Sequence, residues 1–81
     1  MKQLTSEEFM NYRSKTLSGK IKVLSTEQKT KKIGKIIQTT ISETFIGISK
    51  KTYAMHIIVR TGYSDDMFHY SYMLETKKGV D

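Results

Sequence analysis

Two alternating segments in the last third of the chain constrain its fold most. Residues 52–60 and 67–75 carry apolar or aromatic side chains at every second position, and the turn-forming segment 61–66 separates them. A period of two is typical of strands that bury one face. The chain is therefore predicted to contain an antiparallel β-hairpin in which these two segments pair.

The register of this hairpin follows from matching apolar positions, because a slip of one residue would exchange the two faces. Four apolar or aromatic pairs result: Val59 with Phe68, Ile57 with Tyr70, Met55 with Tyr72, and Tyr53 with Leu74. We expect these side chains, the three aromatic residues of the second strand included, to form the core rather than a base-stacking platform. His56 and His69 fall on diagonal positions of the other face, and with no third ligand placed we predict no metal site.

A helix start is encoded near the beginning of the chain. Thr5 and Glu8 have the spacing of a capping box, and Leu4 and Phe9 have that of a hydrophobic staple. Ser18 and Gly19 follow this segment, and a glycine ends many helices. We predict a helix over about residues 6–16.

The segment 26–43 is ambiguous between helix and strand. Its apolar residues and the next one recur at spacings of three and four, as on one helix face: Ile33, Ile36, Ile37, Ile41 and Phe45. Gly34 and several β-branched residues oppose a helix, and as a strand the segment would turn Ile36 away from the other four. We favour a helix over 26–43, with a strand over 31–42 as the alternative.

The predicted fold class is α+β, in a single small domain over residues 1–81. An N-terminal helix and a second helix pack on a small antiparallel sheet. The C-terminal hairpin supplies two strands, residues 45–48 a third, and residues 20–24 an edge strand or an extended connector. The alternative architecture is one helix with a five-stranded, barrel-like sheet.

Several classes of protein are excluded by what the sequence lacks. There is no cysteine, which excludes a disulfide scaffold and a thiolate metal site. No apolar run has the length of a membrane span, so we expect no membrane partner. Since an oxidising compartment is neither needed nor signalled, we expect a cytoplasmic location. No phosphate-binding glycine loop or nucleophile motif is present, and we expect no cofactor.

The end of the second predicted strand contains one pattern with a catalytic precedent. Glu75 and Lys77, with Asp65 or Asp66 upstream, are similar to the D…ExK arrangement of restriction-type nucleases, in which carboxylates hold Mg²⁺. The predicted plain hairpin, with few residues after it, leaves no room for the strand and helix of such a core. We therefore expect no enzymatic activity and no catalytic residues.

Charge gives the leading functional hypothesis. The chain has 14 basic and 8 acidic residues, a net charge of +6. Lysines that can neutralise phosphates give salt-dependent, sequence-independent affinity for nucleic acid. The candidate contacts are Lys29, Lys31, Lys32, Lys35, Lys50 and Lys51. The near absence of arginine weakens this hypothesis, since bidentate contacts prefer arginine.

The second hypothesis is a protein partner. Size, composition and the absence of catalytic motifs are typical of small phage regulators, and such a protein could inhibit a host nucleic-acid-handling or defence enzyme, as anti-restriction and anti-CRISPR proteins do. Its expected contacts are Tyr63, Asp65 and Asp66 in the hairpin loop. We also expect a homodimer, through an exposed sheet edge or the isoleucine face, because so short a chain builds only a small core.

Overall fold

The computed structural model describes residues 1–47 and 50–77. Within them lie one helix and five strands: β1 (Lys2–Leu4), α1 (Ser6–Leu17), β2 (Val23–Ile33), β3 (Ile36–Ile46), β4 (Thr52–Thr61) and β5 (His69–Lys77). The strands form one antiparallel sheet in the order β1-β5-β4-β3-β2. The α+β prediction is confirmed, but the sheet is open rather than barrel-like. We call the face under α1 the covered face and the opposite one the open face.

The predicted capping box starts α1. The Glu8 backbone N–H donates to Thr5 Oγ1 at 3.1 Å, and the Thr5 backbone N–H donates to Glu8 Oε1 at the same distance. This second bond is the main reason why the pKa of Glu8 lies below its usual value. Leu4 and Phe9 both pack against the core, Leu4 from the short strand β1 that the sequence did not predict.

The predicted second helix over 26–43 is wrong. These residues form the hairpin β2–β3, in which a two-residue turn joins the paired residues Ile33 and Ile36. Gly34 occupies the first turn position at φ 61°, a conformation that a type II′ turn needs and that favours glycine. The glycine that opposed a helix is therefore the turn, and the β-branched residues after it form β3.

The register of the β4–β5 hairpin differs from the predicted one by two residues. Val59 pairs with Tyr70, Ile57 with Tyr72, and Met55 with Leu74. A shift of two keeps every side chain on its predicted face. The shift arises because the connecting loop takes up Met67 and Phe68, so that β5 begins only at His69.

The core lies between α1 and one end of the sheet, formed by residues 41–46 of β3, 52–57 of β4 and 72–77 of β5. Its buried side chains are Tyr12, Phe45, Met55 and Ile57. Phe9 stacks on Tyr72 with ring centroids 4.0 Å apart, which fixes the start of α1 on β5. The prediction that Phe68 and Tyr70 are core residues is wrong: they are 60% and 58% exposed, because they lie beyond the reach of α1.

One charged group anchors α1 to the middle of the sheet. The Glu43 carboxylate on β3 accepts a hydrogen bond from the Tyr12 hydroxyl at 2.9 Å and from Arg13 Nη2 at 3.1 Å. Burial and this carboxylate together raise the pKa of Tyr12 well above its usual value. Both partners come from adjacent helix residues, so the orientation of α1 across the sheet is fixed by polar as well as apolar contacts.

The predicted third strand, residues 45–48, and the predicted edge strand, residues 20–24, overlap the ends of two longer strands. The third strand is β3, which ends at Ile46; residue 48 of the predicted segment 45–48 lies outside the described residues. The edge strand is β2, which begins at Val23, and residues 20–22 connect it to α1. The sequence therefore located both strands but placed most of their length in a helix.

Candidate nucleic-acid interface

The lysine cluster of residues 29–35 lies on the edge hairpin β2–β3 rather than on a helix. Successive side chains of a strand point to opposite faces. Lys29 and Lys31 therefore lie on the open face, Lys32 on the covered face beyond α1, and Lys35 in the turn. The structure brings two of these four lysines together on one surface and separates the other two from them.

Lys31 belongs to a row of polar side chains that crosses the open face from strand to strand. It lies opposite Gln38 on β3, which lies opposite Arg60 on β4, which lies opposite His69 on β5. We call these residues the basic row. Neighbouring strands lie about 4.8 Å apart, so the row spans about 14 Å. It includes Arg60, a residue that the sequence had not singled out as a contact.

Arg60 is held in place within the row. Its Nε donates to Gln38 Oε1 at 2.8 Å. Among the described residues, neither of its terminal guanidinium nitrogens has a hydrogen-bonded partner in the protein. The planar fork is thus oriented by a neighbour while two of its nitrogens stay available, which suits bidentate contact with a phosphate.

The cations of this surface are not neutralised by the protein itself. Within residues 1–47 and 50–77, ion pairs involve only Lys2, Arg13, His56 and His69 as cations. Lys29 lies two residues before Lys31 and opposite Thr40, and among the described residues Lys29, Lys31 and Arg60 have no carboxylate partner. The open face therefore has three neighbouring positive charges near the β2–β3 turn, those of Lys29, Lys31 and Arg60.

The far end of the basic row meets the loop that was predicted to contact a protein. His69 Nε2 lies 2.9 Å from Asp65 Oδ2, and the Tyr63 ring is 4.3 Å from the imidazole. The pKa of Asp65 is lowered mainly by a hydrogen bond from the Met67 backbone N–H and, to a smaller extent, by the bond to His69. This carboxylate limits the positive surface on the β5 side, so the cationic part runs from Lys31 to Arg60.

Lys50 and Lys51 lie at the opposite end of the sheet. They precede Thr52, which is eight residues from Arg60 along β4 and hence about 26 Å away. Lys15 and Lys20 lie at the same end, where they line an open groove with Ile46, Gly47 and Tyr53. The six predicted lysines therefore do not form a single surface.

The open face also contains a hydrogen-bonded set that the sequence did not indicate. His56 Nδ1 lies 2.8 Å from Ser42 Oγ, and His56 Nε2 lies 2.8 Å from Glu75 Oε1. The bond to His56 is the main cause of the lowered pKa of Glu75. A serine nucleophile needs backbone N–H groups that stabilise an oxyanion. Ser42 lies on a strand that is paired on both sides, so its own N–H is hydrogen-bonded within the sheet and is unsuited to this role.

The two histidines do not approach one another. His56 pairs with Met73 and His69 with Arg60, so they are separated by four positions along the strands rather than by one diagonal. Among the described residues, no group of three or more histidine or acidic side chains could hold a metal ion. Sequence alone could not have found the Ser42–His56–Glu75 set, because it depends on the register of three strands.

The comparisons with known proteins give no match: no family model, curated protein or solved structure is significantly similar to this chain. In the part of the chain that the structure describes, no helix is both long and apolar enough to cross a bilayer.

Proposed function

We propose that this protein is a small, non-catalytic regulator that binds the phosphate backbone of nucleic acid on the open face of its sheet. The observation that carries the proposal is the fixed guanidinium of Arg60, 2.8 Å from Gln38 and in line with Lys31. A preoriented arginine loses less freedom on binding than a free one. Lys29 supplies a third cation beside it.

The proposed contacts are electrostatic and carry no base information. Lysine and arginine contacts to phosphates position a protein on nucleic acid without distinguishing sequences. Three contacts predict that the logarithm of the binding constant falls with the logarithm of salt concentration with a slope of about −3 for duplex DNA and about −2 for single strands. We therefore expect the protein to bind nucleic acid through the negative charge of the phosphates, whatever the base sequence.

The experiment compares Arg60→Gln with Lys20→Ala by fluorescence anisotropy on labelled oligonucleotides of several sequences. Both variants lose one positive charge, but Lys20 lies at the other end of the sheet. We expect Arg60→Gln to weaken binding about five- to tenfold near 0.1 M salt, to lower the salt slope by about one, and to act alike on every sequence. Lys20→Ala should change little, because the Debye length is then about 10 Å.

Two results would refute the proposal. One is no binding by the unmodified protein at about 50 mM salt, where phosphate contacts are strong. The other is an equal loss of affinity in both variants, which would mean that net charge matters and the basic row does not.

The second candidate function is inhibition of a nucleic-acid-handling protein through the β4–β5 loop. It is supported by exposed apolar side chains beside Asp65 and Asp66, Met67 at 61% and Phe68 at 60%. Such residues are typical anchors of protein interfaces. If oligonucleotides do not bind, capture of one specific partner that Phe68→Ala abolishes and Lys20→Ala preserves would favour this function.

A further inference from the structure

The strand β2 has an exposed edge for its whole length. It contains 11 residues, every one exposed after Val23, and within the described residues it pairs only with β3. The other edge is different, because the short strand β1 covers the middle of β5. Long exposed edges are templates for pairing with another chain, and proteins normally blunt them with charged side chains, proline, bulges or a covering element.

Of these devices, β2 has charged side chains, but its residues 26–33 contain neither a proline nor a bulge. The chain contains no proline. The irregularity of the β2–β3 pairing lies at the start of the strand, between Val23 and Ser25, which leaves residues 26–33 regular. The charged side chains of this stretch point out of the sheet plane, so they do not block the backbone edge itself.

The hairpin geometry shows which backbone groups face outward. Ile33 and Ile36 flank the two-residue turn and so form its closing hydrogen-bonded pair. Hydrogen-bonded and non-hydrogen-bonded pairs alternate along an antiparallel ladder. Thr30 and Gln28 therefore belong to non-hydrogen-bonded pairs, and their N–H and C=O groups point away from β3. The free edge offers donors and acceptors at every second residue.

One register of a second copy pairs residues 25–31 of both chains without placing like charges opposite one another. If a twofold axis passes beside Gln28, Glu27 of each copy lies opposite Lys29 of the other. Moving the axis by one residue in either direction places Lys29 opposite Lys29 or Glu27 opposite Glu27, and like charges directly opposite are destabilising.

We infer that two copies of this protein associate through antiparallel pairing of their β2 strands, with Gln28 beside the twofold axis. The two sheets would then form one continuous sheet, and the open faces of both copies would lie on the same side. This pairing needs no nucleic acid and can be measured without it, although it would place Lys29 of the proposed interface opposite Glu27 of the other copy.

The test is a charge reversal measured by sedimentation velocity at low salt, without nucleic acid, over about a hundredfold range of protein concentration. Within one chain, Glu27 and Lys29 lie opposite the uncharged Ser42 and Thr40, so reversing them disturbs the monomer little. Glu27→Lys and Lys29→Glu should each raise the dimer dissociation constant about tenfold, since two pairs become repulsive. The double variant should restore the original dissociation constant, because it recreates both pairs.

A proline substitution tests the backbone pairing independently. Gln28→Pro removes an N–H that faces the free edge and leaves the hydrogen bonds to β3 in place, so a folded monomer is expected. A protein that is monomeric at every concentration would overturn the inference. So would a dimer that survives Gln28→Pro, or a double charge reversal that dissociates as readily as the single ones.

Discussion

The two ends of β3 lie in different surroundings although their side chains follow the same alternation. Phe45 and Ile37 both point to the covered face, but Phe45 is 6% exposed and Ile37 is 43% exposed. The reason is length. A helix of 12 residues spans about 18 Å, whereas a strand of 11 residues spans about 36 Å. The helix therefore covers one end of the sheet and leaves the other end free on both faces.

This difference separates stability from binding. The covered end contains the four buried core side chains and the polar anchor at Glu43. The free end contains residues 29–33 of the edge strand β2, the basic row and the exposed loop before β5. Substitutions at the free end should therefore change binding with little loss of stability, and substitutions at the covered end should do the reverse.

The largest expected effect compares one substitution at each end. Met55→Ala should lower the free energy of unfolding by about 2–5 kcal/mol, because Met55 is only 1% exposed and its loss leaves a cavity. Ile37→Ala should lower it by less than about 1 kcal/mol, since that side chain is already partly in water. Urea denaturation measures both, and similar losses would mean that the free end is as much a part of the core as the covered end.

A smaller effect concerns the start of the helix that makes the two ends different. Glu8→Gln keeps an acceptor for the Thr5 N–H but removes the charge. Because the pKa of Glu8 is lowered in the folded protein, its charge stabilises the fold above the ordinary carboxyl pKa of about 4.3. This contribution is lost as the pH falls through the lowered folded value.

The variant should therefore lose less stability on acidification than the unmodified protein does. Urea denaturation at a series of pH values from about 7 to about 2 measures the difference between the two unfolding free energies. The difference should shrink in the acid range. A difference that stays constant throughout would show that the Glu8 charge does not contribute to the cap.

The sequence predicted best where local chemistry decides the structure. The capping box at Thr5 and Glu8 is a contact within one helical turn, and it was located to the residue. The faces of β4 and β5 were also correct, because alternation determines them. The register was not, since Phe68 is as apolar as Tyr70 and only the length of the loop distinguishes the two pairings.

The error at residues 26–43 has a physical cause. Isoleucines at spacings of three and four satisfy a helix, but Ile33 and Ile37, four residues apart, lie on the two sides of a turn that Gly34 makes possible. The basic row could not be predicted from the sequence for a related reason. It unites Lys31, Gln38 and Arg60 only once three strands are placed in register.

Whether the basic row on the open face binds phosphate can be measured by NMR titration with a short oligonucleotide at low salt. We expect the largest amide shifts at Lys31, Gln38 and Arg60, with little change around Phe45 and Met55 under the helix. Shifts concentrated instead at Lys20, Lys50 and Lys51, at the other end of the sheet, would contradict the account, as would a spectrum that does not change.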